Sequence, residues 1–206
     1  MIMLDKNELI VLSNLFPEKT KTISEIKKTC KYSYERIYSA LWSLKKKKIL
    51  ELKKYGNTIV AFPNYNSPIT FLGFIYYSIL KRNNLFAYLK DEKFINGFSE
   101  MKRKILIEDI NNLETCLKNI EILDPKLTEI IAITEISTIP KNKITLFYVG
   151  NKSFEKELMK LEIRYNTKIH PIIETEESLS KKKEDNKYIN STVIKGFEKF
   201  YRIFYL

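Results

Sequence analysis

Apolar and polar positions along the first third of the chain alternate in blocks that predict helix, strand, helix, helix, strand, turn, strand. Asp5 and Glu8 stand three apart ahead of Leu9, Val11, Leu12, Leu15 and Phe16, the spacing of a capping box at a helix start, and Pro17 closes that helix. Residues 19–22 predict a minor strand. Thr22 and Glu25 repeat the capping spacing, and Ile23, Ile26 and Cys30 form the buried side of a short second helix. Ser33 caps a third helix over residues 33–48, with Glu35 in its first turn, where a carboxylate meets the positive end of the helix dipole. On a helical wheel centred on Ile37, Tyr34, Ala40, Leu41 and Leu44 fall on one side and Arg36, Ser39, Ser43 and Lys46 on the other. One face is built to pack and the other to touch something. Residues 49–54 and 57–62 are β-prone runs around Tyr55-Gly56-Asn57, and Gly and Asn tolerate the positive φ of a tight hairpin.

Pro63 and Pro68 bracket a short linker, and Ser67-Pro68 predicts a cap followed by a proline in the first helical position. The apolar run over residues 69–80, with Leu85, Phe86, Tyr88 and Leu89, predicts one or two buried helices broken near Asn83-Asn84. A long helix is expected over residues 99–123, where Leu106, Ile110, Leu113, Leu117 and Ile120 form a heptad-spaced seam. That seam serves either packing within the chain or a two-fold homodimer. Beyond Asp124-Pro125, residues 127–137 and 143–149 read as strands separated by a loop containing Pro140. A helix is expected over residues 153–164, a third strand over residues 168–173, a short helix near Thr175 and Ser178, and a final helix over residues 190–205. The expected class is α+β: an N-terminal domain at residues 1–66, a helical middle segment at 67–124 and a small α/β domain at 125–206.

Charge sharpens this picture. The 206 residues carry a formal net charge of +11, and residues 1–66 hold most of it, with 13 basic against 6 acidic side chains. Such an excess favours a polyanionic partner. Cys30 and Cys116 are too few for a disulfide framework or a zinc site, which fits a reduced, cytoplasmic setting. The longest apolar run, residues 71–80, is roughly half of the ~20 residues a membrane span requires, and the start shows no basic n-region or cleavage site.

Residues 5–63, with TISEIKKTCKYSYERIYSALWSLKKKKIL followed by ELKKYGNTIVAFPN, resemble the winged helix-turn-helix of bacterial and archaeal transcription regulators. The resemblance implies that the third helix enters the major groove of double-stranded DNA and the wing lies along the backbone or minor groove. Arg36 then grips a guanine edge or a phosphate, and Ser33, Tyr34, Tyr38 and Ser39 reach phosphates or base edges. Lys45, Lys46, Lys47, Lys53 and Lys54 neutralise phosphates, and Tyr55 and Asn57 sit at the wing tip. Each residue has a structural alternative. A lysine run at a helix end also complements the dipole, Trp42 and the tyrosines serve equally as core, and winged helices also bind proteins.

The order of elements over residues 127–206, with LEIRYNTKIHPIIETEESLSKKK and INSTVIKGFEKFY, is similar to minimal nucleotidyltransferase-like domains that follow winged helices in some archaeal proteins. Active members carry Gly-Ser after the first strand and Asp-x-Asp opening the second. Here ITEIS and Asn142-Lys143-Ile144-Thr145 stand in those places, so the carboxylates that clamp two Mg²⁺ are missing and no metal, cofactor or catalysis is expected. An enzyme with an atypical site is the alternative. His170 on a strand reads as structural, and Glu174, Glu176 and Glu177 read as carboxylates at a helix start.

Overall fold

Capping and burial shape the first elements as the sequence predicts. The computed structural model describes residues 4–87, 90–138 and 142–206, so the expected positions of Tyr88, Leu89 and Pro140 lie outside the described residues. Helix α1 (Lys6–Ser13) opens on a complete capping box: the Asp5 carboxylate accepts from the amides of Asn7 and Glu8, and the Glu8 carboxylate accepts from the Asp5 amide. Strand β1 (Lys21–Thr22) leads into α2 (Ile23–Thr29), capped reciprocally by Thr22 and Glu25. Ser33 caps α3 (Tyr34–Lys46) by accepting from the Arg36 amide. Strands β2 (Leu50–Tyr55) and β3 (Thr58–Pro63) form an antiparallel hairpin, and the sheet order is β1-β3-β2. Tyr55 pairs with Thr58, so the turn is two residues long. Gly56, at φ 58°, occupies the position where a type II′ turn needs glycine. Val11, Leu12, Leu15, Ile26, Ile37, Leu41 and Leu44 are fully buried together beneath this sheet and its helices. These elements follow the order helix, strand, helix, helix, strand, turn, strand that the sequence predicts.

The end of α3 carries a local conflict. Lys48 has φ 58°, its amide donates to Lys45 O, and the Ile49 amide donates to Leu44 O, the pair of bonds that defines a Schellman stop. Glycine usually fills the left-handed position, because a Cβ there crowds the backbone.

The chain divides into two compact units. The first runs to Ile79 and includes Tyr205 and Leu206; the second is Leu80–Phe204. Tyr205 completes the first unit's aromatic cluster, its ring 5.2 Å from Phe16 and 5.4 Å from Tyr65. Helix α4 (Pro68–Asn83) ends where Asn83-Asn84 predicted a break, but residues 84–87 are turn and not the start of another helix.

In the second unit, α5 (Glu92–Asn96) and α6 (Glu100–Glu121) precede β4 (Thr128–Ser137), β5 (Lys143–Gly150), α7 (Phe154–Tyr165) and β6 (Lys168–Glu174). Then come α8 (Glu176–Ser180), α9 (Asn186–Ile189), β7 (Thr192–Lys195) and α10 (Phe197–Tyr205). The sheet order is β6-β5-β4-β7, with β5 and β6 parallel and the other pairs antiparallel. Helices α6 and α7 cover one face through Leu106, Ile110, Leu113, Leu117, Leu158 and Leu161. On the other, Phe147 meets Tyr188 and Phe200, with ring centroids 5.0 Å and 6.3 Å away.

Two expectations change here. The heptad seam of α6 is buried against its own sheet, so its apolar positions are already covered and are not open to a homodimer. The single final helix is instead β7 followed by α10. Thr192, Val193 and Lys195 pair along the edge of β4, the β-branched Ile194 lies at the bulge between them, and Gly196, at φ 75°, separates the two elements. A Cβ on Gly196 would stand 2.0 Å from Glu129 O, so glycine is required on two counts.

Lys48→Gly relieves the left-handed strain at the α3 stop and is expected to raise the unfolding free energy of the first unit by about 1 kcal/mol in denaturant titrations. Leu113→Ala, at a fully buried position, is expected to cost about 2–4 kcal/mol in the same measurement.

Candidate nucleic-acid interface

Helix α3 turns Ile37, Ala40, Leu41 and Leu44 into the core, and its opposite ridge, Glu35, Ser39 and Lys46, is exposed. Arg36 and Ser43 lie on the shoulder facing α1, where Arg36 meets Asn7 and Ser43 meets Glu8. Tyr34, Tyr38 and Trp42 follow one another along the opposite shoulder, with ring centroids 6.2 Å and 5.9 Å apart. Tyr34 departs from the wheel. Although it falls on the packing side, it sits in the first helical turn and is 48% exposed. Trp42 is half-buried with Nε1 shut off from solvent, so it packs more than it presents a face.

The four lysines that close α3 are not equivalent. The Lys45 ammonium stands 4.3 Å from the centre of the Trp42 ring. Lys46 projects from the exposed ridge, and Lys48 fills the left-handed stop. Lys47 turns the other way and bonds both carboxylate oxygens of Glu8 at 2.6 Å and 2.7 Å. Its charge already neutralises a buried partner.

Glu8 is 1% exposed. Burial alone pushes its carboxyl up, but the Lys47 ammonium, the Ser43 hydroxyl at 2.6 Å and the Asp5 amide outweigh that and hold it below the ordinary carboxylate value. Every acceptor site on this side of Glu8 is used, as a buried charge requires. The network ties the first turn of α1 to the last turn of α3.

In the wing, pleating separates residues that are adjacent in sequence. Leu50, Leu52 and Lys54 lie on one face of β2, and Glu51, Lys53 and Tyr55 on the other. Lys53 and Lys54 therefore offer charge to opposite sides of the hairpin. Lys53 stands 4.9 Å from the centre of the Phe62 ring and 4.0 Å from the Glu51 carboxylate. Tyr55 is 59% exposed, and Asn57 is exposed in the turn. Ser33 is exposed but spends its hydroxyl on the helix cap.

Asn7 and Tyr32 escaped the sequence reading. Arg36 donates from Nε and Nη2 to Asn7 Oδ1 at 3.1 Å and 2.6 Å, and its guanidinium carbon lies 4.1 Å from the centre of the Tyr32 ring. Tyr32 stood in a break four residues before Arg36, a spacing that carries no contact signal outside a helix. Nothing in the local pattern relates Asn7 to a residue 29 positions away.

In the second unit, the residues that open β5 make structural bonds. Asn142 donates to Asp109 at 2.8 Å, Lys143 pairs with Glu135 at 3.5 Å, and the Thr145 hydroxyl bonds Glu135. Among the described residues, no three His, Cys, Asp or Glu side chains are grouped to hold a metal ion. The acidic cluster divides. Glu174 ends β6 and is buried, bonded by Lys182, Ser178 and Tyr188, and only Glu176 and Glu177 lie in a helix start. Among the described residues no helix is long and apolar enough to cross a membrane.

No family model matches the sequence, and no curated protein matches it. One solved structure is similar in part, that of ZitR from Lactococcus lactis, described as a zinc-responsive member of the MarR family. It is 14% identical, with a TM-score of 0.36, over 55% of this chain and 76% of that one.

Lys47→Ala leaves the Glu8 carboxylate buried without its cation and is expected to cost about 2–3 kcal/mol, whereas Lys46→Ala stays within about 0.5 kcal/mol, both read from denaturant unfolding. Because the Glu8 carboxyl is held below its ordinary value of 4.5, its contribution is fully present above that pH. It is lost as pH falls through the depressed value. Unfolding measured against pH is expected to show that acid limb, and Glu8→Gln to flatten it.

Proposed function

We propose that the chain is a DNA-binding transcription regulator that docks α3 in the major groove of duplex DNA and lays its wing on the neighbouring backbone or minor groove. The observation that carries this reading is the exposed ridge Glu35, Ser39 and Lys46 on α3, flanked by Arg36 and Lys45, in the part of the chain that holds most of the net charge. Arg36, Lys45, Lys46, Lys53 and Lys54 supply the phosphate-facing charge. Tyr34, Tyr38 and Ser39 hold the positions from which hydroxyls reach base edges or phosphates near the start of α3. Tyr55 and Asn57 at the wing tip complete the footprint.

In this reading the second unit is a non-catalytic module that contacts a partner, a ligand or a second copy. It is supported by Asn142 and Lys143 standing where metal-binding carboxylates are required.

Binding of the full chain to random duplex DNA, measured across salt, tests the proposal. Five cationic contacts give an expected log–log slope of about −4.5. Lys46→Ala should weaken all sequences alike and reduce the slope by about 1, and Arg36→Ala should cost about 1–3 kcal/mol at one preferred base pair if it reads guanine. Affinity that does not respond to salt, or no binding, overturns the reading in favour of a protein-binding winged helix.

A further inference from the structure

Arg36 is held in two independent ways. Tyr32 lies against the face of its guanidinium at 4.1 Å, and Asn7 Oδ1 takes the side edge formed by Nε and Nη2 at 3.1 Å and 2.6 Å. The Asn7 backbone is held in the first turn of α1, where its main-chain N–H donates to the Asp5 carboxylate at 2.7 Å. A guanidinium has five N–H groups in one plane. Here the stack sets the plane, and the side-edge bonds set the rotation within it.

The terminal edge, both N–H groups of Nη1 and the outer one of Nη2, has no protein hydrogen-bond partner among the described residues. Arg36 is exposed, so that edge is open to solvent. A flexible side chain ordinarily gives up rotamer freedom on binding. The contacts with Asn7 and Tyr32 meet part of that cost in the free protein. They leave unused the donors of an end-on two-pronged contact, one N–H of Nη1 and the outer N–H of Nη2.

We propose that Asn7 and Tyr32 are positioning residues that preset Arg36 to grip a planar pair of acceptors on duplex DNA, either two oxygens of one phosphate or O6 and N7 of one guanine. The inference rests on the function proposed above and extends its interface to α1 and to the segment ahead of α3.

A double-mutant cycle on the full chain tests it, using duplexes that differ at single base pairs. Asn7→Ala is expected to weaken binding about 2- to 10-fold when Arg36 is present and to change nothing in the Arg36→Ala background, with thermal unfolding unaltered. Tyr32→Leu should weaken binding similarly and Tyr32→Phe should restore it, because the ring alone makes the stack. Loss on every duplex identifies a phosphate as the acceptor pair, and loss confined to one base pair identifies guanine. The proposal is overturned if Asn7→Ala is silent, or equally costly with and without Arg36. It is also overturned if Arg36→Ala is silent while Lys46→Ala still weakens binding and lowers the salt slope, which leaves the DNA-binding reading intact. Absence of DNA binding by the unsubstituted chain overturns that reading and this inference with it.

Discussion

A carboxylate withdrawn from water sets the geometry of the first unit. Glu8 is buried in the first turn of α1, where the capping box needs it, and a charge in that position is tolerable only if cations and donors reach it. Lys47 and Ser43 come from the far end of α3 to do so. The start of one helix is thereby held to the end of another. The apolar contacts of Val11 and Leu12 with Ile37, Leu41 and Leu44 supply most of the association. They are non-directional, whereas the bonds to Glu8 join particular residues of the two helices.

That requirement decides how the basic residues of α3 are used. One lysine is consumed by Glu8, one lies over Trp42, one accepts a strained backbone to end the helix, and one remains on the ridge. The same division holds beyond the lysine run, where Arg36 lies on Tyr32 and Lys53 on Phe62. Pairing cations with aromatic faces limits their motion without neutralising them. The basic side chains of this candidate interface therefore have more contacts within the protein than the count of lysines suggests.

The second unit solves a similar problem in a different setting. Glu174 at the end of β6 is buried with Lys182, Ser178 and Tyr188 around it, which anchors the segment that follows onto the sheet. Burial and the Ser178 and Lys182 bonds oppose each other there, and the carboxyl stays below its ordinary value. The face of the sheet that α6 and α7 cover is filled by the very leucines and isoleucines whose spacing suggested a dimer. A heptad pattern marks an apolar stripe, and what covers the stripe is a matter of topology.

Local chemistry determined much of this chain by itself. The caps at Asp5, Thr22 and Ser33, the turn at Gly56 and the buried stripe of α3 all follow from interactions within a few residues, and each was legible for that reason. The candidate interface was legible in the same measure, since Ser39 and Lys46 oppose the apolar stripe whatever α3 packs against. Tertiary structure alone decided the rest. Only the fold brings Glu8 to Lys47 and Asn7 to Arg36, and only the open edge of β4 makes a strand of Val193 and Ile194, whose spacing also suits a helix. Periodicity states which side of an element avoids water. Which partner meets a buried charge or an unpaired strand edge depends on residues far away in sequence, and no local pattern records them.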